Sequence, residues 1–201
     1  MKILISNKQL KNIIFEETMG IDSFIDLMIN KYPQSKDYID VIQKFIVDSD
    51  CKRIDVGPMM HGYGVSLSDR VLINQASFYL PFPMFLFVLF HEIAHQYQYK
   101  KYGEEKMYEV YLGEVDVKEA ANWMKEVEIV ADEFATRKVR QLQKMGAIDP
   151  NEKPFKTFYK NMPVQHFINL ITQIKYEIKK QGVTDPSEIS ELIYNWVKPK
   201  V

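Results

Sequence analysis

The chain has 201 residues, 46% of them hydrophobic and 26% charged. This excludes a largely disordered chain and allows a packed core without disulfide staples. A formal charge of −1 at pH 7 gives no electrostatic ground for a nucleic acid partner, and a single cysteine, Cys51, cannot form an internal bridge and reads as a small buried residue. The longest apolar run, Phe82 to Phe90, is too short to span a bilayer. The opening MKILISNKQLKN lacks the apolar stretch of a signal peptide, so a cytoplasmic protein with no membrane partner is expected.

Residues 1 to about 50 read as helical. Ile21, Phe24, Ile25, Met28 and Ile29 recur at helical spacing, as do Tyr38, Val41, Ile42, Phe45 and Ile46. Tyr32-Pro33 separates the two runs, because a residue before proline is pushed out of the helical region. Residues 52–80 read as strands and turns. Arg53-Ile54-Asp55-Val56 precedes the turn signal Gly57-Pro58, and Gly62–Leu67 and Arg70–Asn74 flank Ser68-Asp69 as a hairpin.

Two long helices follow. The first starts near Pro83 and runs to about Tyr102, with Gly103 as its cap. The second starts near Asp116, which has the capping-box spacing to Glu119, and ends near Gly146. Tyr108 to Val115, between them, reads as a strand or an irregular loop. The tail reads as helices over about 163–181 and 186–197, the latter announced by Asp185-Pro186-Ser187-Glu188. The fold class expected is α+β, mostly helical, with a small sheet just upstream of the first long helix. The expected division is a helical region over 1–50, a core over 51–145 and a helical region over 146–201, together forming one unit.

The chemistry sits in His91-Glu92-Ile93-Ala94-His95. Histidines four apart share one helix face, about one turn apart, so both imidazoles reach one cation. Zinc suits such a pair, since it accepts neutral imidazole and tolerates three protein ligands plus water. Glu92, one step round the helix, reaches an activated water as general base without binding the metal. The apolar neighbours Val88, Leu89, Phe90, Ile93 and Ala94 are those of a buried helix. The bland alternative, two core histidines hydrogen-bonded to backbone, has less support.

A third ligand is available in Glu128, 33 residues beyond His95 and on the second long helix. Asp132, four residues on, faces the same way and is placed to brace a ligand histidine, His91 first. Ala94, Ala131 and Ala135 let the two helices approach closely. Glu119, Glu126 and Glu133 are competing acids, and Glu126 faces another side of the helix.

His91-Glu92-x-x-His95 followed by Glu128-x-x-Ala131-Asp132 resembles the gluzincin metallopeptidases. The resemblance implies His91, His95 and Glu128 as zinc ligands, Glu92 as base and Asp132 as the brace. Arg70–Asn74 before the motif and Ala131-Asp132-Glu133-Phe134-Ala135 after it look like the small cytoplasmic ImmA/IrrE-type peptidases. The second motif is equally similar to CAAX-prenyl-type and HtpX-type peptidases, which are membrane proteins. The likeness covers about residues 63–140 and implies a zincin-like core: a small curved sheet over the motif helix, with the Glu-bearing helix packed against it. It also implies a protein or peptide substrate, aligned by strand addition along Gly62–Leu67 or Val71–Asn74.

An oxyanion-stabilising residue has no motif. His61, in a Gly-rich segment, is the favoured candidate, ahead of Tyr63, Tyr108, Tyr111, Arg137 and His166; His166 reads as a core residue. The expected function is a Zn2+-dependent endopeptidase. The alternative is a catalytically silent or latent gluzincin scaffold that binds a partner, since the terminal helical regions match no known pattern. A metal-dependent hydrolase of a non-peptide substrate is a third reading.

Overall fold

A computed structural model describes residues 17–60, 62–113, 115–152 and 158–197. The elements are β1 (Glu17–Met19), α1 (Ile21–Lys31), α2 (Ile39–Asp48), β2 (Ile54–Gly57), β3 (Gly64–Ser66), β4 (Val71–Asn74), α3 (Phe82–Tyr102), α4 (Glu104–Leu112), α5 (Val117–Lys144), α6 (Val164–Gln181) and α7 (Pro186–Val197). Short 3-10 turns cover Pro33–Tyr38, Gln75–Tyr79 and Tyr159–Asn161. The class is α+β and mostly helical, as expected.

The four strands form one mixed sheet in the order β1-β2-β4-β3. β2 pairs with β4 in parallel and with β1 antiparallel, whereas β3 pairs with β4 as the expected hairpin, Val65 opposite Leu72. Leu67 N–H closes the hairpin turn on the Arg70 carbonyl at 2.8 Å. Every residue of β4 is buried, as befits an interior strand covered on both faces. Ile54, Val56, Val71 and Ile73 join the core that holds Phe85, Leu86, Leu89 and Phe90 of α3. Leu72, pointing the other way by the two-residue period, clusters with Leu67 and with Tyr194 and Val197 of α7.

Two expectations are corrected. The region 1–50 is not helical throughout: β1 at Glu17–Met19 pairs with β2, and so short a strand carries no periodicity of its own. Tyr108–Leu112 is neither strand nor irregular loop, because Glu104–Leu112 forms α4; Gly113 and Val115 lie outside any helix or strand. Met107, Tyr108, Val110 and Tyr111 bury one helical face there, while Glu104 and Glu105 complement the positive end of the helix. Gly103, at φ 82°, reverses the chain between α3 and α4 in a conformation that costs glycine little. Tight coupling to α3 hides the second helix from a periodicity reading.

A second core cluster joins Tyr108, Ala120 and Ala121 to Phe167, Ile171 and Ile174 of α6 and Ile189 of α7. Thus α4 and α6 pack on the N-terminal half of α5, and α7 packs on α4 and α6. The C-terminal half, through Ala135, Val139 and Leu142, packs into the cluster with α1, α2 and the sheet. Among the described residues, no helix is long and apolar enough to cross a membrane.

Candidate metal centre

α3 carries His91, Glu92 and His95 into the interior, with 7%, 7% and 8% of their surfaces exposed. α5 lies against α3, and Ala94 on one helix and Ala131 and Ala135 on the other are buried. Asp116 starts α5 by accepting hydrogen bonds from the Lys118 and Glu119 backbone N–H groups at 2.9 and 3.1 Å, an N-cap contact. From that start, Glu128 and Asp132 both face α3, while Glu119, Glu126 and Glu133 are exposed.

His91 Nε2, His95 Nε2 and Glu128 Oε2 converge. The separations are 3.0 Å for His91–Glu128, 3.6 Å for His95–Glu128 and 3.1 Å for His91–His95. Ligands about 2.05 Å from a tetrahedral zinc stand about 3.3 Å apart, and the three distances straddle that figure. The donor set, two imidazoles and one carboxylate, is one zinc accepts. His91, His95 and Glu128 are therefore the residues able to hold a metal.

The surroundings hold each group. His91 Nδ1 faces Asp132 Oδ1 at 3.1 Å, and Asp132 Oδ2 accepts the Tyr159 backbone N–H at 2.8 Å. His95 Nδ1 faces Gln98 Oε1 at 2.7 Å. Burial opposes a charge on His91, but the hydrogen bonds to Asp132 and Glu128 outweigh it and push its pKa up to about 10. His95 is raised as well, Glu128 overcoming burial. Glu128 is held well below the usual carboxylate range, its own burial outweighed by the two histidines. Glu92 moves the other way: burial raises it despite the nearby histidines, the direction that makes a carboxylate a better proton acceptor near neutral pH.

β3 passes directly over Glu92. A methyl group on Gly64 would stand 2.7 Å from Glu92 Cγ and 3.0 Å from Oε1, so only glycine lets the strand approach so closely. Gln96 ties this edge to α3, donating to Ser66 Oγ at 2.5 Å and to the Leu67 carbonyl at 2.6 Å. Two cavities meet at the site. One of about 210 Å³ lies on the His95 and Glu128 side, lined by Tyr99, Tyr111, Trp123 and Trp196. The other, of about 390 Å³, lies on the His91 and Asp132 side, lined by Met84, Phe87, Val88 and Phe158.

No family model matches the chain, and no curated protein or solved structure matches it.

The five motif residues, 91, 92, 95, 128 and 132, come together. His61, the favoured oxyanion candidate, lies outside the described residues. Tyr63 is half exposed and lines the larger cavity. Tyr111 lines the smaller one, and Tyr108 is buried in hydrogen bonds with Tyr99 and Ser190. Arg137 is exposed and lines neither cavity. His166 is corrected: it is exposed on α6, not a core residue, its neighbour Phe167 taking the buried position.

Three residues escape the sequence reading. Gly64 reveals itself only through contact with another element. Tyr159 stacks near His91, ring centroids 5.5 Å apart, and lines both cavities; nothing in its own segment signals this. Gln98 is one helical turn from His95, a spacing that was readable.

Proposed function

We propose that the protein is a zinc-dependent endopeptidase. The observation that carries this reading is the convergence of His91 Nε2, His95 Nε2 and Glu128 Oε2 with Glu92 beside them under an open strand edge. Zinc, held by these three residues, would supply an activated water and a positive charge for the carbonyl oxygen of the substrate. Glu92 accepts the proton of the attacking water and delivers it to the leaving amine; burial, which raises its pKa, suits it to both steps. Asp132 fixes the His91 ring. Tyr159 and Tyr111 are the phenols beside the ligands. Burial, with Glu128 next in order, disfavours ionisation of both, leaving each a hydrogen-bond donor for developing negative charge.

A peptide substrate is supported by β3. Among the described residues β4 is paired on both sides and β3 on one only, so of the two strands considered for strand addition, β3 is the one at an edge. A peptide laid antiparallel on Gly64–Ser66 crosses above Glu92 with a cavity on either side, the arrangement expected for cutting within a chain.

The latent-scaffold reading draws support from α7, whose Ile193, Trp196 and Val197 line the smaller cavity and narrow that side. The test is zinc content together with cleavage of a diverse peptide mixture. We expect about one zinc per chain and cleavage that falls by at least 10²–10⁴-fold in Glu92→Gln with zinc retained. Zinc binding without cleavage in the wild-type chain would favour the scaffold, and a protein that binds no zinc would end the endopeptidase reading.

A further inference from the structure

Gln98 is nearly buried, at 6% exposure, and both ends of its amide are occupied. Its Nε2 donates to the Val127 carbonyl of α5 at 2.9 Å, and its Oε1 stands 2.7 Å from His95 Nδ1. The two contacts fix the orientation of the amide. Reversed, it would set its oxygen against the Val127 carbonyl oxygen, two acceptors in contact. With Oε1 facing His95, Nδ1 must carry the hydrogen, and the lone pair of a neutral ring is then on Nε2.

Asp132 imposes the same condition on His91 from the other end of the site. Its carboxylate accepts at His91 Nδ1 and also takes the Tyr159 backbone N–H. Both rings therefore turn Nε2 towards one another, 3.1 Å apart, and towards the Glu128 carboxylate. With both rings neutral these are three acceptors, which repel at this spacing unless positive charge, a proton on a ring or a metal ion, lies among them. The anchor of Gln98, Val127, immediately precedes Glu128, whereas Asp132 is one turn beyond it. α5 thus supplies one ligand and orients the other two from either side.

We propose that Gln98 is a positioning residue that locks the His95 ring with hydrogen on Nδ1 and with Nε2 directed at His91 and Glu128, so that α3 and α5 pre-set all three ligands for a cation. The proposal rests on the zinc reading only for its consequence in binding, because the lock itself exists without metal. Its test uses the full chain and two variants. Gln98→Met keeps the length and removes both polar ends, while Gln98→Glu keeps an acceptor for Nδ1.

In the metal-free wild type, imidazole NMR is expected to show a slowly exchanging His95 Nδ1–H beside that of His91. Gln98→Met should lose the His95 signal and keep that of His91, and Gln98→Glu should restore it. Zinc affinity should fall about 10–100-fold in Gln98→Met and recover at least partly in Gln98→Glu, with circular dichroism unchanged. A His95 Nδ1–H indifferent to Gln98→Met, or absent from the wild type, would overturn the lock. Zinc affinity unaffected by the loss of that signal would overturn its role in positioning a ligand. If the wild type binds no zinc while the NMR pattern holds, the lock survives and the metal reading fails.

Discussion

Two places in this protein bury carboxylates, and they balance them differently. On β2, Asp55 is 1% exposed and stands 3.3 Å from Arg53 Nε and 3.9 Å from an Arg70 guanidinium nitrogen. Permanent cations of the chain itself offset its charge. Between α3 and α5, Glu92, Glu128 and Asp132 gather round two histidines, and among the described residues no lysine or arginine pairs with any of them. A buried carboxylate costs several kcal/mol unless compensated. The first cluster is complete as folded. The second is built to receive positive charge, as protons on its histidines or as a metal ion.

The largest effect expected at the second cluster short of removing Glu92 comes from Gly64→Ala. The added methyl meets Glu92, and a displacement of about 1 Å at a reacting group costs on the order of 10²-fold in turnover. Zinc content should not change, because Gly64 touches no ligand; steady-state kinetics with elemental analysis checks both. A fall in zinc together with activity would show that β3 holds the ligands and not the base.

Arg70→Met probes the first cluster. It leaves Asp55 with one cation fewer and removes the Arg70 contacts with Glu191 and the Tyr194 ring. Denaturant unfolding should show a loss of about 1–3 kcal/mol, the same with and without zinc. Zinc should stabilise wild type and variant alike, by about 2.7 kcal/mol at a concentration one hundred times its dissociation constant. A loss that disappears on adding zinc would mean that the two clusters are not independent.

pH separates them further. His91 rises from an ordinary 6.5 to about 10 in the metal-free protein. A raised histidine pKa contributes stability that is fully present below about pH 6.5 and is lost as pH climbs towards 10. The metal-free protein should therefore lose stability over that window, and zinc binding at pH 7 should release protons, measurable by calorimetry in buffers of different ionisation enthalpy. Zinc binding that releases no protons would contradict the pairing of His91 with Glu128 and Asp132.

The smallest effect belongs to Cys51. Burial pushes its thiol up to about 12, so alkylation of the native protein near pH 8 should be negligible and should appear only on unfolding. Rapid labelling by mass spectrometry would show that the wall formed by α2 and β2 opens.

Features confined to one element were legible in the chain. The four-residue interval between His91 and His95 places both on one helix face whatever surrounds the helix. Tyr32-Pro33, Gly103, Asp116 and the 186–197 start signal mark ends by local backbone chemistry. α4 escaped because it begins directly after the glycine that ends α3. β1 escaped because a strand of three residues acquires its identity from its partner.

What the sequence determined by itself was therefore the α+β class, the motif helix with its three chemical residues, and Glu128 and Asp132 as a matched pair at the right distance along the chain. The tertiary structure decided that this pair meets the motif helix and that β3, not β4, lies at an edge of the sheet. It also decided that Gly64 gives way to Glu92, that Tyr159 arrives from outside the motifs, and that Gln98 reaches Val127. The physical reason is that helical periodicity sets relations within an element at a rise of about 1.5 Å per residue, whereas contacts between elements depend on how several buried faces pack at once.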